Sequence, residues 1–219
     1  MTLSKSLIGT ASALALVLSA SVASAQSIDY TFDAAASGLN VSGGNYGTVH
    51  LETDGTGVDF TITLRSDLNF TTTGNANSHT VFGFNATGVA LADISNIHDA
   101  SSQTFGAYAP GVGSPFGSFT FGISCLTGCS NGGSAGGYPD PLTFTVANAT
   151  LADFAFLSTG SNPAFFTADV FTTLDVAGNT GQIGATGTTP PVPEPGTYAL
   201  MFAGLGVVGF MARRRKPQA

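Results

Sequence analysis

The sequence predicts an all-β body, an antiparallel β-sandwich of jelly-roll or immunoglobulin-like type. An N-terminal signal helix is expected before it and a single C-terminal transmembrane helix after it. Three observations lead there. In the middle of the chain apolar residues recur at every second position, and no long stretch has helical spacing. Clusters of Gly, Asn and Ser separate these short apolar runs, with 29 glycines in 219 residues. The ends differ in kind from the middle: Lys5, Arg213, Arg214, Arg215 and Lys216 lie in them, which leaves Arg65 as the single cation of the body.

Residues 1–25 read as a secretory signal peptide. Lys5 supplies the charged start, residues 7–18 the apolar run, and Ala23-Ser24-Ala25 the small-residue end that a signal peptidase accepts. Cleavage is expected after Ala25, leaving Gln26 first in the mature chain. Residues 26–187 form the exported domain. Its first strand is expected near 28–32. Val58, Phe60, Ile62 and Leu64 alternate with Asp59, Thr61 and Thr63; Phe119, Phe121 and Ile123 alternate with Thr120 and Gly122; Leu142, Phe144 and Val146 alternate with Thr143 and Thr145. Such alternation places one face in a core and the other in water. Threonine on the wet face keeps it polar without ions, which suits a chain only 9% charged. Residues 80–85 and 165–174 are further strand candidates. Asp54-Gly55-Thr56-Gly57 joins strands at 48–53 and 58–64 as a hairpin, because glycine accepts positive φ. Leu91-Ala92-Asp93-Ile94 is echoed sixty residues on by Leu151-Ala152-Asp153-Phe154, each expected to be a short helical turn with Asp near its start. The phenylalanines, 17 in the chain, fill the interior.

Residues 188–196 form a proline-rich linker, extended because each proline fixes φ and disfavours helix in the residue before it. Residues 197–212 carry no charge. As a helix they cover roughly 24 Å, near the lower limit for crossing a bilayer. Arg213, Arg214, Arg215 and Lys216 follow at once within the basic tail 213–219, and clustered cations next to a span stay on the cytoplasmic side. The body therefore lies on the far side of the membrane, with the tail acting as a stop-transfer segment.

Val192-Pro193-Glu194-Pro195-Gly196, the glycine-containing span and the Arg/Lys end resemble the PEP-CTERM sorting signal of exopolysaccharide-producing Gram-negative bacteria. The resemblance implies that Val192, Pro193, Glu194 and Pro195 are read by a membrane enzyme, an exosortase, that cuts near them. They would be recognition residues. The logic is that of other signals whose spacer and hydrophobic tail are removed during anchoring.

Candidate chemistry in the body is sparse. Cys125 and Cys129 are the only cysteines. A fully extended chain holds them about 13 Å apart, but a turn through Leu126-Thr127-Gly128 brings them within bridging distance, and an exported chain meets an oxidising compartment. A disulfide is expected, adding about 2 kcal/mol by closing so short a loop. His50, His79 and His98 make no ligand pattern. Gly132-Gly133-Ser134-Ala135-Gly136 spells a nucleophile elbow without the helix that must follow it. Gly204-Leu205-Gly206-Val207-Val208-Gly209 spells a dinucleotide fingerprint inside the apolar tail, with no strand before it. Asp54, Asp59, Asp67, Asp93, Asp99 and Asp140 follow no calcium-loop spelling and are expected to be solvated. One cation against twelve acids between residues 26 and 189 excludes nucleic acid as a partner.

These readings lead to an exported protein that is not an enzyme and needs no cofactor or metal. It is tethered to the inner membrane as a precursor, then placed at the cell surface or in the extracellular matrix of a biofilm. Its partners are signal peptidase and exosortase during export, and matrix polysaccharide afterwards, in a structural or adhesive role. The alternative is a calcium-assisted carbohydrate-binding module that uses Tyr46, Tyr108 or Tyr138 as a stacking surface.

Overall fold

The structure, a computed structural model, describes residues 25–72, 80–100, 103–127, 137–174, 179–188, 201 and 204–206. The strands are β1 (Ser27–Thr31), β2 (Ala34–Ala35), β3 (Gly47–Asp54), β4 (Gly57–Leu64), β5 (Leu68–Phe70), β6 (Phe82–Phe84), β7 (Ile94–His98) and β8 (Thr104–Tyr108). They continue with β9 (Gly111–Gly113), β10 (Gly117–Phe119), β11 (Phe121–Thr127), β12 (Leu142–Ala147), β13 (Phe166–Thr172), β14 (Thr180–Ala185) and β15 (Gly187–Thr188). Every pairing is antiparallel. Sheet A has the order β15-β1-β3-β4-β12-β7. Sheet B has the order β2-β14-β13-β6-β11-β8, with β5 also beside β13. The antiparallel all-β architecture expected from the alternation is present.

The sheets meet through aromatic rings. Phe60 of β4 stacks on Phe144 of β12 at 4.4 Å, and it meets Phe84 of β6 at 5.6 Å and Phe166 of β13 at 6.1 Å. Tyr30 of β1 meets Phe166 edge-on at 4.7 Å. All five are buried. Burying each such side chain contributes about 1.5–3 kcal/mol, so this ring cluster dominates the packing between the sheets. The hairpin at Asp54-Gly55-Thr56-Gly57 forms as expected. Asp54 pairs with Gly57 and Gly55 takes φ +59°, a conformation that favours glycine.

A third layer lies on sheet B. Strands β9 and β10 form a ribbon whose Val112 carbonyl accepts both the N–H and the hydroxyl of Thr80. A Cβ on Gly184 would stand 2.5 Å from the Phe116 ring, and one on Gly122 would stand 3.1 Å from the Gly111 Cα. Phe116, Phe119 and Ala164 make a second, small apolar cluster there. This corrects the single strand expected across 119–123. Phe119 belongs to β10, while Phe121 and Ile123 belong to β11 and the main core. The strand breaks at Thr120, where the side-chain Oδ1 of Asn85 accepts both its N–H, at 2.9 Å, and its hydroxyl, at 3.2 Å.

The two echoed segments are both 3-10 turns, Leu91–Asp93 and Leu151–Phe154. In each, the Asp carboxylate accepts the N–H of the residue before the turn at 2.8 Å: Ala90 for Asp93 and Thr150 for Asp153. The turns also hold each other. The Asn148 amide donates to Asp93, and the Thr87 hydroxyl donates to Asp153.

The signal helix expected at the N-terminus lies outside the described residues. Of the C-terminal span, residues 201 and 204–206 are helical and the rest lies outside. Among the described residues no helix is long and apolar enough to cross a membrane.

Candidate functional site

Two residues from the end of β1 the chain changes sheets. Tyr30 and Thr31 pair with Thr188 and Gly187 in sheet A, while Ala34 and Ala35 pair with Gly184 and Ile183 in sheet B. The register is the same in both pieces. Segments 27–35 and 180–188 therefore form one ribbon that turns a corner from one sheet to the other. Asp33 sits at the bend. Its N–H donates to the Gly184 carbonyl, and its two carboxylate oxygens accept the Thr186 N–H at 2.8 Å and the Thr186 hydroxyl at 2.7 Å. A carboxylate that accepts two donors from one residue fixes that residue's backbone and side chain together. A cleft of about 460 Å³ lies beside the corner, between Ala34–Ser37, Pro115, Phe116, Ser161, Asn162, Pro163 and Thr186, with no charged side chain in its lining.

Both linkers leave from this ribbon. Gln26 is held against β3: its N–H donates to the Thr53 hydroxyl, and its carbonyl accepts the Thr53 N–H, both at 2.8 Å. At the other end β15 stops at Thr188. Pro190 and Pro191 follow, and proline has no N–H to continue a ladder.

Most of the expected signal residues lie outside the described ones: Ala23, Val192, Pro193, Glu194, Pro195, Arg213, Arg214, Arg215, Lys216, and also Cys129, His79 and Ser134. Ala25 and Gln26 are described and exposed. Cys125 is partly buried against the core and is not a free thiol.

The remaining candidates are dispersed. His50 lies between two carboxylates on sheet A, with Nδ1 2.6 Å from Asp29 and Nε2 3.9 Å from Glu52. His98 is on β7 at the opposite edge. The Asp59 carboxylate accepts the Thr145 hydroxyl, and Asp140 accepts the Leu64 N–H. Among the described residues no three His, Cys, Asp or Glu side chains are placed so as to hold a metal ion. Of the three tyrosines expected to offer a stacking surface, two are withdrawn into the core and Tyr108 is half-buried. Tyr46 and Tyr138 are buried, and Tyr138 meets Phe105 edge-on at 5.4 Å. The Tyr108 phenol is pushed up to about 12 by burial, with the Ser124 and Thr80 hydroxyls beside it.

Arg65 has a role that sequence reasoning missed. It binds Asp67 with two nitrogens, at 2.5 and 2.8 Å, donates to the Ser42 and Asn45 carbonyls, and lies 5.2 Å from the Tyr46 ring centre. The guanidinium hydrogen bond holds the Asp67 carboxyl below its ordinary range. The body's one cation is thus committed to an internal clamp. The spacing Arg65-Ser66-Asp67 was its only signal in the sequence.

A folded domain whose last strand runs into a proline-rich, apolar and cationic tail defines a class: cargo addressed by its C-terminus. Residues 191–216 match the PEP-CTERM protein-sorting motif, a C-terminal signal that implies export and sorting through an exosortase. The match covers the tail alone. No curated protein and no solved structure matches the chain.

Proposed function

We propose that this protein is a non-enzymatic, exported β-sandwich that serves as a structural or adhesive component of the cell surface or exopolysaccharide matrix. The observation that carries the reading is the pairing of the sorting motif with a body whose polar groups are spent on its own architecture. Arg65, Asp33, Asn85, Asp93 and Asp153 each close an internal contact. Among the described residues, the outer face of sheet A, lined by threonine, serine, carboxylates and the two histidines His50 and His98, is open to a partner. Such a face, in a body with formal charge −11, suits neutral sugar hydroxyls and repels polyanions. The domain spans 26–187, followed by linker 188–196, membrane segment 197–212 and cytoplasmic tail 213–219. A Cys125–Cys129 bridge pins the end of β11, supported by the absence of a free thiol at Cys125 and by the oxidising compartment.

The test follows the protein in its native host. Cells and matrix are fractionated, and the mature chain is weighed. The reading expects a chain beginning at Gln26, shortened near Pro193, two mass units lighter than the reduced form, and held in the matrix until the polysaccharide is digested. Release into the medium with polysaccharide intact would overturn the matrix role. Unchanged processing after Pro193, Glu194 and Pro195 are replaced by alanine would overturn the recognition role of those residues.

A further inference from the structure

We infer that the β1–β15 edge of sheet A is the surface the domain turns toward its membrane-embedded sorting enzyme, and that Asp33 is the positioning residue that keeps it there. This rests on the sorting reading above. The argument begins with reach. Thr188, the last paired residue among those described, is five residues from Pro193 and nine from Thr197, where the apolar run begins. Fully extended, those stretches cover at most about 17 Å and 31 Å. A domain of this size has a radius of gyration near 15 Å, hence a width of roughly 40 Å. The tether is shorter than the body it holds. The edge from which the tether leaves is therefore held nearer than the far side of the body to an enzyme cutting near Pro193.

The second tether leaves from the same edge. Gln26 precedes β1, and β1 is the strand that pairs with β15. While the signal peptide is still attached, both membrane-linked ends depart from neighbouring antiparallel strands. The two constraints agree on which side faces the bilayer.

The anchor itself is small. A two-residue strand is marginal alone, and the prolines after Thr188 prevent its extension. The two bonds from Thr186 to Asp33 secure it. If β15 is released with them, the chain is held from Ala185, whose carbonyl accepts the Phe165 N–H. Three more residues would join the tether, about 10 Å of added reach.

The experiment uses the full chain in a host with a tagged exosortase. A photoreactive phenylalanine analogue replaces Asp29 on β1 or, in a second variant, His98 on β7. These positions are the two ends of one outward row, Asp29–His50–Thr61–Thr143–His98, and lie four strand spacings or about 19 Å apart. The expected result is cross-linking to the enzyme at least about five-fold stronger from position 29 than from position 98. A ten-residue Gly-Ser insert after Thr188 should bring that ratio to about one, because local concentration falls as a linker lengthens. Asp33→Ala should lower it part of the way, with the urea midpoint of the purified domain showing that it still folds. Equal cross-linking from both positions in the uninserted chain, or a ratio indifferent to the insert, would overturn the inference alone. No product from either position, with processing unchanged by the alanine triple variant, would overturn the sorting reading and the inference with it.

Discussion

Along the outward side of sheet A, Asp29, His50, Thr61, Thr143 and His98 form one row from edge to edge, and none of them is buried. Along the outward side of sheet B the matching row is Gly184, Thr167, Gly83, Gly122 and Tyr108, and only Tyr108 escapes full burial. Tyr108 apart, neither row carries a large apolar side chain. The first is a wet surface. The second is a floor on which β9 and β10 rest. The difference lies in the glycines: Gly184, Gly83 and Gly122 remove the side chains that would hold another layer away. A polar or glycine position opposite a core residue thus means solvent in one sheet and a second interface in the other.

The strongest way to break that comparison is to fill the floor. Gly184→Val would drive carbon into the Phe116 ring, 2.5 Å from the added Cβ. A cost of about 3 kcal/mol is expected from overpacking, read as a lower urea midpoint together with proteolysis in the β9–β10 ribbon. Thr61→Val on the open face should stay within about 0.5 kcal/mol. Equal losses at the two positions would show that the faces do not differ.

A gentler comparison deletes one hydroxyl on each side. Thr167 donates to Gln182 at 2.7 Å and lies 2.9 Å from the Ile183 carbonyl, fully buried. Thr167→Val leaves the buried Gln182 oxygen without that donor and should cost about 1–3 kcal/mol. On sheet A, Thr145 gives its hydroxyl to Asp59 at 2.7 Å, and both side chains are only half-buried. Thr145→Val should lose less than about 1 kcal/mol, since water replaces the donor. Matched urea titrations decide it.

Legibility followed the same division. The alternation around Phe60 and Phe144 located β4 and β12, because each inward ring is separated by one outward threonine or aspartate. The hairpin at Gly55 was legible from its turn residues, and the Leu-Ala-Asp echo located both 3-10 turns. The period-two rule failed at 119–123. There it ran through Thr120, where the chain passes from the third layer into sheet B, and periodicity carries no mark of which layer a strand belongs to. β7, β8 and β14 were not foreseen. Ser95, Asn96, Gly106, Gly181 and Gly184 interrupt their apolar pattern, and the pairing partners that stabilise them are distant in sequence. The tail was readable because its signal is linear. The corner at Asp33 was not, since its partner Thr186 lies 153 residues away.

Tyr108 offers a pH probe of the covered side. Burial raises its phenol to about 12 from the ordinary 10. The folded state therefore favours the protonated form. That stabilisation is complete below pH 10 and is lost as pH rises through 12. The urea midpoint should fall across this interval, and Tyr108→Phe should flatten the fall. An unchanged slope would place the alkaline sensitivity elsewhere.

A small effect is expected where the sheets are joined by a partly exposed ion pair. Arg65 follows β4 of sheet A, and Asp67 precedes β5 beside sheet B. The Asp67 carbonyl also accepts the Thr173 N–H and the Thr172 hydroxyl from the end of β13. The hydrogen bond from Arg65 lowers the Asp67 carboxyl from its usual value near 3.8. A depressed folded value means the stabilisation is fully present above that usual value and disappears as pH falls through the folded one. Because both side chains are about a quarter exposed, solvent screening keeps the pair's worth below about 1 kcal/mol. Asp67→Asn should therefore lower the urea midpoint slightly at pH 7 and flatten its decline as pH falls below that usual value. Arg65→Lys should retain the charge but lose the two-pronged geometry, and fall between wild type and Asp67→Asn. High salt should shrink the Asp67→Asn difference while leaving that of Thr167→Val unchanged, because screening acts on the exposed ion pair and not on the hydroxyl beneath the third layer.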